Sequence, residues 1–145
     1  MKKLSLGVAL MVLLLTAAVG VAQETEDPAA IWVSVPRVEG TWTGKWFSYF
    51  GGSGRIKAVV KQSGTVLKGT LRVTNTHCGT VSTNLNGSVS NTTAKFKAVF
   101  DCREDKMVLK FTKGKLSSGG TKITGTYHVF VNDSLADYGT FSANR

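Results

Sequence analysis

Few residues of this chain have the types and spacing that catalysis or metal binding requires. The histidines His77 and His128 are far apart, and neither belongs to a nucleophile, zinc or phosphate-binding motif. The acids within 101–105 resemble a carboxylate pair, but nothing near them would desolvate one acid, so a solvated turn is the better interpretation. Gly51-Gly52-Ser53-Gly54 precedes no helix and predicts a hairpin turn. We therefore expect no enzyme, and no catalytic residue, metal site or cofactor.

The two cysteines, Cys78 and Cys102, are expected to form a disulfide. An even number of cysteines is typical of exported proteins, whose compartment favours pairing. If the fourth and fifth predicted strands form a hairpin that turns at Ser90-Asn91, residues whose numbers sum to about 180 face each other, as these two do. A metal site built on His77 and Cys78 is the alternative, but only His128 and Cys102 remain as further soft ligands.

A third set of side chains suits the binding of a small molecule. Binding pockets have mostly apolar walls and a few polar groups that fix the orientation of the ligand. The alternation of side chains along the strands places such a set on the inward face of the sheet: Trp46, Ser48, Phe96, Phe100, Leu109, Phe111, Tyr127 and Val129. Thr83 is a further polar residue on this face. These residues predict a ligand that is apolar and uncharged at its buried end. The alternative is a core filled by its own side chains, since an eight-stranded barrel is just wide enough for either.

The elements that must position these residues are strands. Gly-Thr or Gly-Ser followed by an apolar residue recurs from Gly40-Thr41-Trp42 to Gly139-Thr140-Phe141, in runs where apolar and polar residues alternate. We expect an all-β fold, an eight-stranded antiparallel up-and-down barrel with one disulfide. The predicted strands are Gly40–Phe50, Arg55–Gln62, Thr65–Thr74, Val81–Ser90, Thr92–Asp101, Lys106–Thr112, Lys122–Val131 and Leu135–Asn144.

Each face of the predicted sheet has a feature with two interpretations. Inward glycines either relieve strain where the sheet bends or leave space for a ligand. They are Gly44, Gly69, Gly87, Gly125 and Gly139. Apolar residues also face outward on the first, second, seventh and eighth strands. They are either isolated exposed residues or one continuous patch that binds a protein partner or a second copy of the chain. They are Phe47, Tyr49, Val59, Phe130 and Tyr138.

The outward face is strongly basic. The chain has 18 Lys and Arg against 9 Asp and Glu, a net charge of +9. Many of the cations fall on outward positions: Lys45, Arg55, Lys57, Lys61, Lys68, Arg72, Lys95, Lys97, Lys110 and Lys122. We expect no outer-membrane barrel, because a charge on the lipid face costs roughly 2–4 kcal/mol at the midplane. The face either keeps the strands soluble or binds anionic surfaces such as lipid head groups or acidic glycans. Nucleic acid is not expected, since no aromatic residues interleave with the lysines.

Residues 1–22 are expected to be a bacterial-type secretory signal. Lys2 and Lys3 precede an apolar stretch, and Gly20-Val21-Ala22 places small residues at the spacing that a signal peptidase recognises. The stretch is too short and too early to span a membrane in the mature protein. Its removal takes away two lysines and no acid, which lowers the net charge from +9 to +7. We predict a tether over 23–38, a barrel domain over 39–145 and a periplasmic or extracellular location.

Gly40-Thr41-Trp42 resembles the opening of the first strand in the calycin superfamily, which includes lipocalins, avidins, fatty-acid-binding proteins and some secreted protease inhibitors. In that superfamily the tryptophan packs at the closed end of the barrel against a basic side chain of the last strand. The resemblance therefore implies structural roles for Trp42 and Arg145, whose cation–π contact would contribute roughly 0.5–2 kcal/mol. It also implies a barrel that holds small molecules. The alternative is an interaction module, an enzyme inhibitor or a binder of anionic surfaces, with a filled core.

Overall fold

Alternating side chains build eight strands in the computed structural model, which describes residues 34–145. The strands are β1 (Gly40–Ser48), β2 (Ser53–Ser63), β3 (Val66–Thr76), β4 (Gly79–Ser90), β5 (Thr93–Cys102), β6 (Asp105–Leu116), β7 (Lys122–Val131) and β8 (Ser134–Asn144). Each pairs antiparallel with the next, and β8 pairs with β1, so the sheet closes into an up-and-down barrel. The predicted fold class is confirmed.

The predicted signal over 1–22 and residues 23–33 of the predicted tether lie outside the described residues. Within residues 34–145, no helix is long and apolar enough to cross a membrane.

Strand β6 continues four residues beyond its predicted end at Thr112. Its pairing with β7 shifts between Phe111 and Lys115, where β6 has one extra residue. Such a bulge reverses which side chains face inward: Phe111 is buried on one side of it, and Leu116 on the other. The alternation of apolar and polar residues therefore breaks at this point. This break explains why the sequence predicted that the strand ends at Thr112.

The disulfide between Cys78 and Cys102 is confirmed, with Cα atoms 5.8 Å apart. The register from which it was predicted is wrong. Val89 lies opposite Ala94, so β4 and β5 are offset by three residues from the predicted pairing. Cys78 lies in the turn between β3 and β4 rather than in β4 itself, and this turn brings it to the end of β5. The crosslink therefore joins a turn to a strand end.

The two ends of the barrel differ. At the closed end are the turns β2–β3, β4–β5 and β6–β7, and at the open end are the turns β1–β2, β3–β4, β5–β6 and β7–β8. The buried core fills the closed half, with Leu67, Val89 and Ala94 almost completely inaccessible. Val38, assigned to the tether by its sequence, is also fully buried there. The Gln62 side chain fixes this segment, because its amide accepts from the Val38 N–H at 2.6 Å and donates to the Pro36 carbonyl at 2.9 Å.

The inward glycines leave no space for a ligand, because the neighbouring strands approach them closely. A Cβ at each of the five positions would overlap a backbone carbonyl oxygen of the neighbouring strand: Ser142 for Gly44, Val59 for Gly69, Lys95 for Gly87, Lys113 for Gly125 and Phe47 for Gly139. Because backbone atoms occupy the space, no rearrangement of side chains could make room. Glycine is therefore required wherever two strands approach this closely.

Candidate functional site

A cavity of about 600 Å³ lies in the open half of the barrel. The predicted interior residues that line it are Trp46, Ser48, Thr83, Phe100, Leu109, Phe111, Tyr127 and Val129. Phe96 does not reach it, because it lies nearer the closed end, beside a space of about 30 Å³ that it shares with Trp42 and Phe141. The barrel is therefore filled at one end and hollow at the other.

The walls of the cavity are mostly apolar. Met107, Leu109 and Phe111 are alternate residues of β6, and each is buried. Ile56 and Leu71 form its floor together with Phe111, since these three also line the small space below. On the opposite side, the Trp46 indole donates from Nε1 to the Thr74 carbonyl at 3.1 Å. A rigid apolar wall of this kind favours an apolar ligand.

One side of the cavity carries a polar group of three residues, Ser48, Tyr127 and Asp137, which we call the Asp137 cluster. The Ser48 hydroxyl donates to Asp137 Oδ1 at 2.6 Å, and the Tyr127 hydroxyl donates to Asp137 Oδ2 at 3.1 Å. The Tyr138 backbone N–H also donates to Oδ1, at 2.8 Å. The carboxylate is thus held in a fixed orientation by three donors.

Strand register brings the Asp137 cluster together. Ser48 of β1 and Tyr127 of β7 are both paired with Gly139, one from each side. Asp137 lies two residues before Gly139 and therefore points to the same face of β8. The Tyr127 ring also meets Trp46 edge to face, with centroids 6.1 Å apart. The consecutive strands β7 and β8 and the distant strand β1 thus supply one site.

Burial raises the pKa of Tyr127 well above the usual tyrosine range, and the negative charge of Asp137 raises it further. The phenol therefore stays protonated under ordinary conditions and remains a hydrogen-bond donor to Asp137.

Asp137 was missing from the predicted interior residues. The sequence could have shown this, because Asp137 alternates with Gly139, which was placed inward. The strand is irregular just before it: Val129 pairs with Asp137, but Phe130 pairs with Leu135, so Ala136 is an extra residue.

Within residues 34–145, the histidines and the acids outside the Asp137 cluster do not gather at one site. His77 lies at the rim of the cavity, whereas His128 lies on the outer face, stacked 6.3 Å from the Tyr138 ring. Asp105 accepts a hydrogen bond from the Asn132 amide at 2.8 Å in a solvent-exposed turn. Within residues 34–145, no three His, Cys, Asp or Glu side chains come close enough to bind a metal ion.

The closed end is sealed by Trp42 and Arg145. The Arg145 guanidinium lies 5.3 Å from the Trp42 ring centroid, and it donates to the carbonyls of Arg37 at 3.0 Å and Glu39 at 2.8 Å. The Trp42 indole donates to the Val38 carbonyl at 2.7 Å. The two residues therefore attach the segment before β1 to the end of the barrel, away from the cavity.

The outer side of β1, β2 and β3 carries six exposed cations, which we call the basic wall. In each of three cross-strand pairs a cation lies directly opposite another: Lys45 and Arg55, Lys57 and Arg72, and Lys61 and Lys68. The acids of the described chain lie near the two ends of the barrel: Glu39, Asp101, Glu104, Asp105, Asp133 and Asp137. Within residues 34–145, the one ion pair joins Arg37 and Glu39, so none of these carboxylates forms an ion pair with the basic wall.

Aromatic side chains cluster around the cavity mouth, where Phe50 also lines the cavity. The Tyr138 ring centroid lies 5.1 Å from that of Tyr49 and 5.3 Å from that of Phe50, and Phe47 beside them is half exposed. Val59, expected in the same patch, lies apart from it, because it pairs with Thr41 at the other end of β1. The outward apolar residues therefore form a smaller patch than their strand assignments suggested.

Comparison with known proteins identifies the fold but no family. No protein-family model matches the chain, and no curated protein matches it in sequence. Among solved structures, that of EF1p2_mFAP2b bound to DFHBI is similar, with a TM-score of 0.56 and 14% identity, covering 74% of this chain and 93% of that one. At this identity the likeness concerns the fold alone. The likeness agrees with the closed eight-stranded barrel described above.

Proposed function

We propose that this protein binds a small, largely apolar molecule in the open half of its barrel. The observation that carries the proposal is the cavity of about 600 Å³, whose walls are mostly apolar and carry a smaller number of polar groups, the Asp137 cluster among them. Pockets for small ligands commonly measure about 300–1,000 Å³ and share this distribution of polar groups. The similar structure of EF1p2_mFAP2b is bound to DFHBI, which supports the same use of the fold here.

The proposed role is binding without catalysis, in an exported protein. The N-terminal pattern of residues 1–22 supports export, and the disulfide suits an oxidising compartment. A carrier, a scavenger or a sensor of an apolar molecule would each need only the cavity and its mouth.

Native mass spectrometry and dye binding test this proposal. The full chain, purified from a periplasm without detergent, should show a mass excess that denaturation removes. The fluorescence of N-phenyl-1-naphthylamine, a neutral apolar probe, should rise on binding with one probe per chain. A bare mass together with no probe binding would overturn the proposal.

A pair of matched substitutions locates the bound probe. Val129 lines the cavity, whereas Val59 is 41% exposed on the outer wall. Val129→Trp should fill part of the cavity and weaken probe binding about tenfold or more, while Val59→Trp should leave it unchanged. Val81→Trp, on another side of the cavity, is the second variant should the first unfold. Equal binding by folded cavity and outer-wall variants would place the probe outside the barrel.

A second function, attraction to anionic membrane surfaces, is supported by the basic wall. Like charges directly opposite on neighbouring strands destabilise a sheet, so three such pairs are retained at a cost. A bound anionic surface would offset that repulsion. Binding to vesicles of phosphatidylglycerol, but not of phosphatidylcholine, should be measurable at low salt and weaken steeply as salt is added.

Charge-matched variants distinguish vesicle binding through the basic wall from binding that depends only on net charge. Lys57→Gln with Lys61→Gln removes two charges from the basic wall. Lys106→Gln with Lys122→Gln removes two charges elsewhere, one of them opposite Asp101. The first pair should reduce vesicle binding far more than the second. An equal reduction would mean that total charge, rather than the basic wall, controls binding.

A further inference from the structure

The Asp137 cluster defines what kind of polar group the cavity accepts. We infer that the ligand carries a protonated amine, bound by the Asp137 carboxylate, on an otherwise apolar body. This inference rests on the proposed function, because it concerns the ligand of the same cavity.

The hydrogen-bond donors of the cluster are all engaged already. The Ser48 and Tyr127 hydroxyls both donate to Asp137. The Ser48 oxygen in turn accepts from the Phe50 backbone N–H at 3.0 Å. What remains for a ligand is acceptor capacity: the second lone pair of Asp137 Oδ2 and the oxygen of Tyr127. A ligand carbonyl or carboxylate would find no free donor here, whereas an N–H group would find acceptors.

The charge of Asp137 points to a cationic donor. Within residues 34–145, the one ion pair joins Arg37 and Glu39 at the closed end, so no Lys or Arg of this part of the chain pairs with Asp137. Asp137 is half-buried beside an apolar cavity, where an unpaired negative charge is poorly solvated. Arg103 also lines the cavity, but it is exposed, lies in the β5–β6 turn and forms no ion pair with Asp137. A protonated amine would supply the missing positive charge.

The position of Asp137 fixes the orientation of the ligand. It lies near the start of β8, close to the mouth, whereas Ile56, Leu71 and Phe111 form the floor. The apolar body would therefore enter first and contact the floor, with the amine near the mouth. This arrangement keeps the charge within reach of solvent and leaves the deeper space to apolar atoms.

Three dansyl probes that differ only at one end test the inference: dansylcadaverine, which is cationic, its neutral N-acetyl derivative, and the anionic dansyl-6-aminohexanoate. A charge-assisted hydrogen bond should favour the cationic probe over the neutral one by about tenfold to a hundredfold in Kd. The anionic probe should bind most weakly. Dansyl fluorescence at neutral pH gives all three constants for the full chain.

Asp137→Asn should remove the preference for the cationic probe over the neutral one. Asp133→Asn is the matched control, because it removes a nearby negative charge from an exposed turn outside the cavity. Asp133 has a positive φ, which asparagine adopts readily.

The possible outcomes separate the two claims. If none of the three probes binds the unmodified protein, the proposed function fails. If the cationic and neutral probes bind equally, the proposal that the cavity binds a small molecule is retained. The inference of a protonated amine is then overturned, whether or not Asp137→Asn folds. A preference that persists in folded Asp137→Asn would also overturn the role of Asp137.

Discussion

Replacing Gly69 by alanine would test whether close approach of the strands sets the shape of this barrel. Gly69 faces inward from β3 and is paired with Val60 of β2 and Leu85 of β4. A Cβ here would overlap the Val59 carbonyl oxygen and lie 2.9 Å from its carbonyl carbon. Both are backbone atoms, so only separation of β2 from β3 can relieve the contact.

The size of the effect follows from that separation. Real Cβ atoms essentially never approach another heavy atom within 3.0 Å, so the strands must part until this distance is restored. A displacement on the order of 1 Å takes a ladder hydrogen bond of about 2.9 Å beyond hydrogen-bonding range. Losing one or two such bonds costs about 0.5–1.5 kcal/mol each, and overpacking adds about 1–3 kcal/mol. We expect Gly69→Ala to lower the free energy of unfolding by about 2–5 kcal/mol, a large part of the usual total of about 5–15 kcal/mol.

Urea unfolding followed by tryptophan fluorescence measures this difference. Gly119→Ala is the control, because its Cβ would have only the Thr121 hydroxyl nearby, at 3.9 Å, and its backbone is not left-handed. The control should change stability by less than about 1 kcal/mol. A loss below 1 kcal/mol for Gly69→Ala would refute the reasoning, since it would mean that β2 and β3 can separate at little cost.

Three further predictions concern the crosslink, the closed end and the cavity. Replacing both Cys78 and Cys102, which are 24 residues apart, by serine should cost about 3 kcal/mol in urea unfolding, and a loss under 1 kcal/mol would contradict the loop-entropy argument. Trp42→Phe should cost about 1–3 kcal/mol in the same assay, because the buried Val38 carbonyl loses its donor; a neutral result would mean that water replaces the indole. Above pH 10, the ordinary tyrosine pKa, stability should fall as the unfolded chain ionises while folded Tyr127 stays protonated. Tyr127→Phe should show a shallower fall, and parallel curves would argue against the raised pKa.

Much of the fold was predictable because the alternation of a strand is local. Each run of alternating residues predicts a strand and separates its inward from its outward face, whatever its neighbours do. This local rule placed Trp46, Leu109 and Tyr127 in the interior, and it would have placed Asp137 there too. The pairing of Cys78 with Cys102 followed from their even number and the expected oxidising compartment, even though the assumed register was wrong.

What the sequence could not determine depends on how strands meet. Register is a relation between two strands, so the bulge in β6 and the offset of β4 against β5 became visible only in the closed sheet. The same holds for the Asp137 cluster, whose members come from β1, β7 and β8.

The two interpretations of the inward glycines were decided in the same way. Alternation shows that Gly69 faces inward, but only the tertiary structure shows the Val59 carbonyl in the space beside it. Likewise, the sequence predicted an apolar interior without showing whether side chains fill it. Whether space remains depends on the volume inside the barrel and on where along its axis each side chain lies, and both are set by closure of the sheet. The sequence thus determined the strands and their faces, and closure of the barrel determined the cavity and the polar group within it.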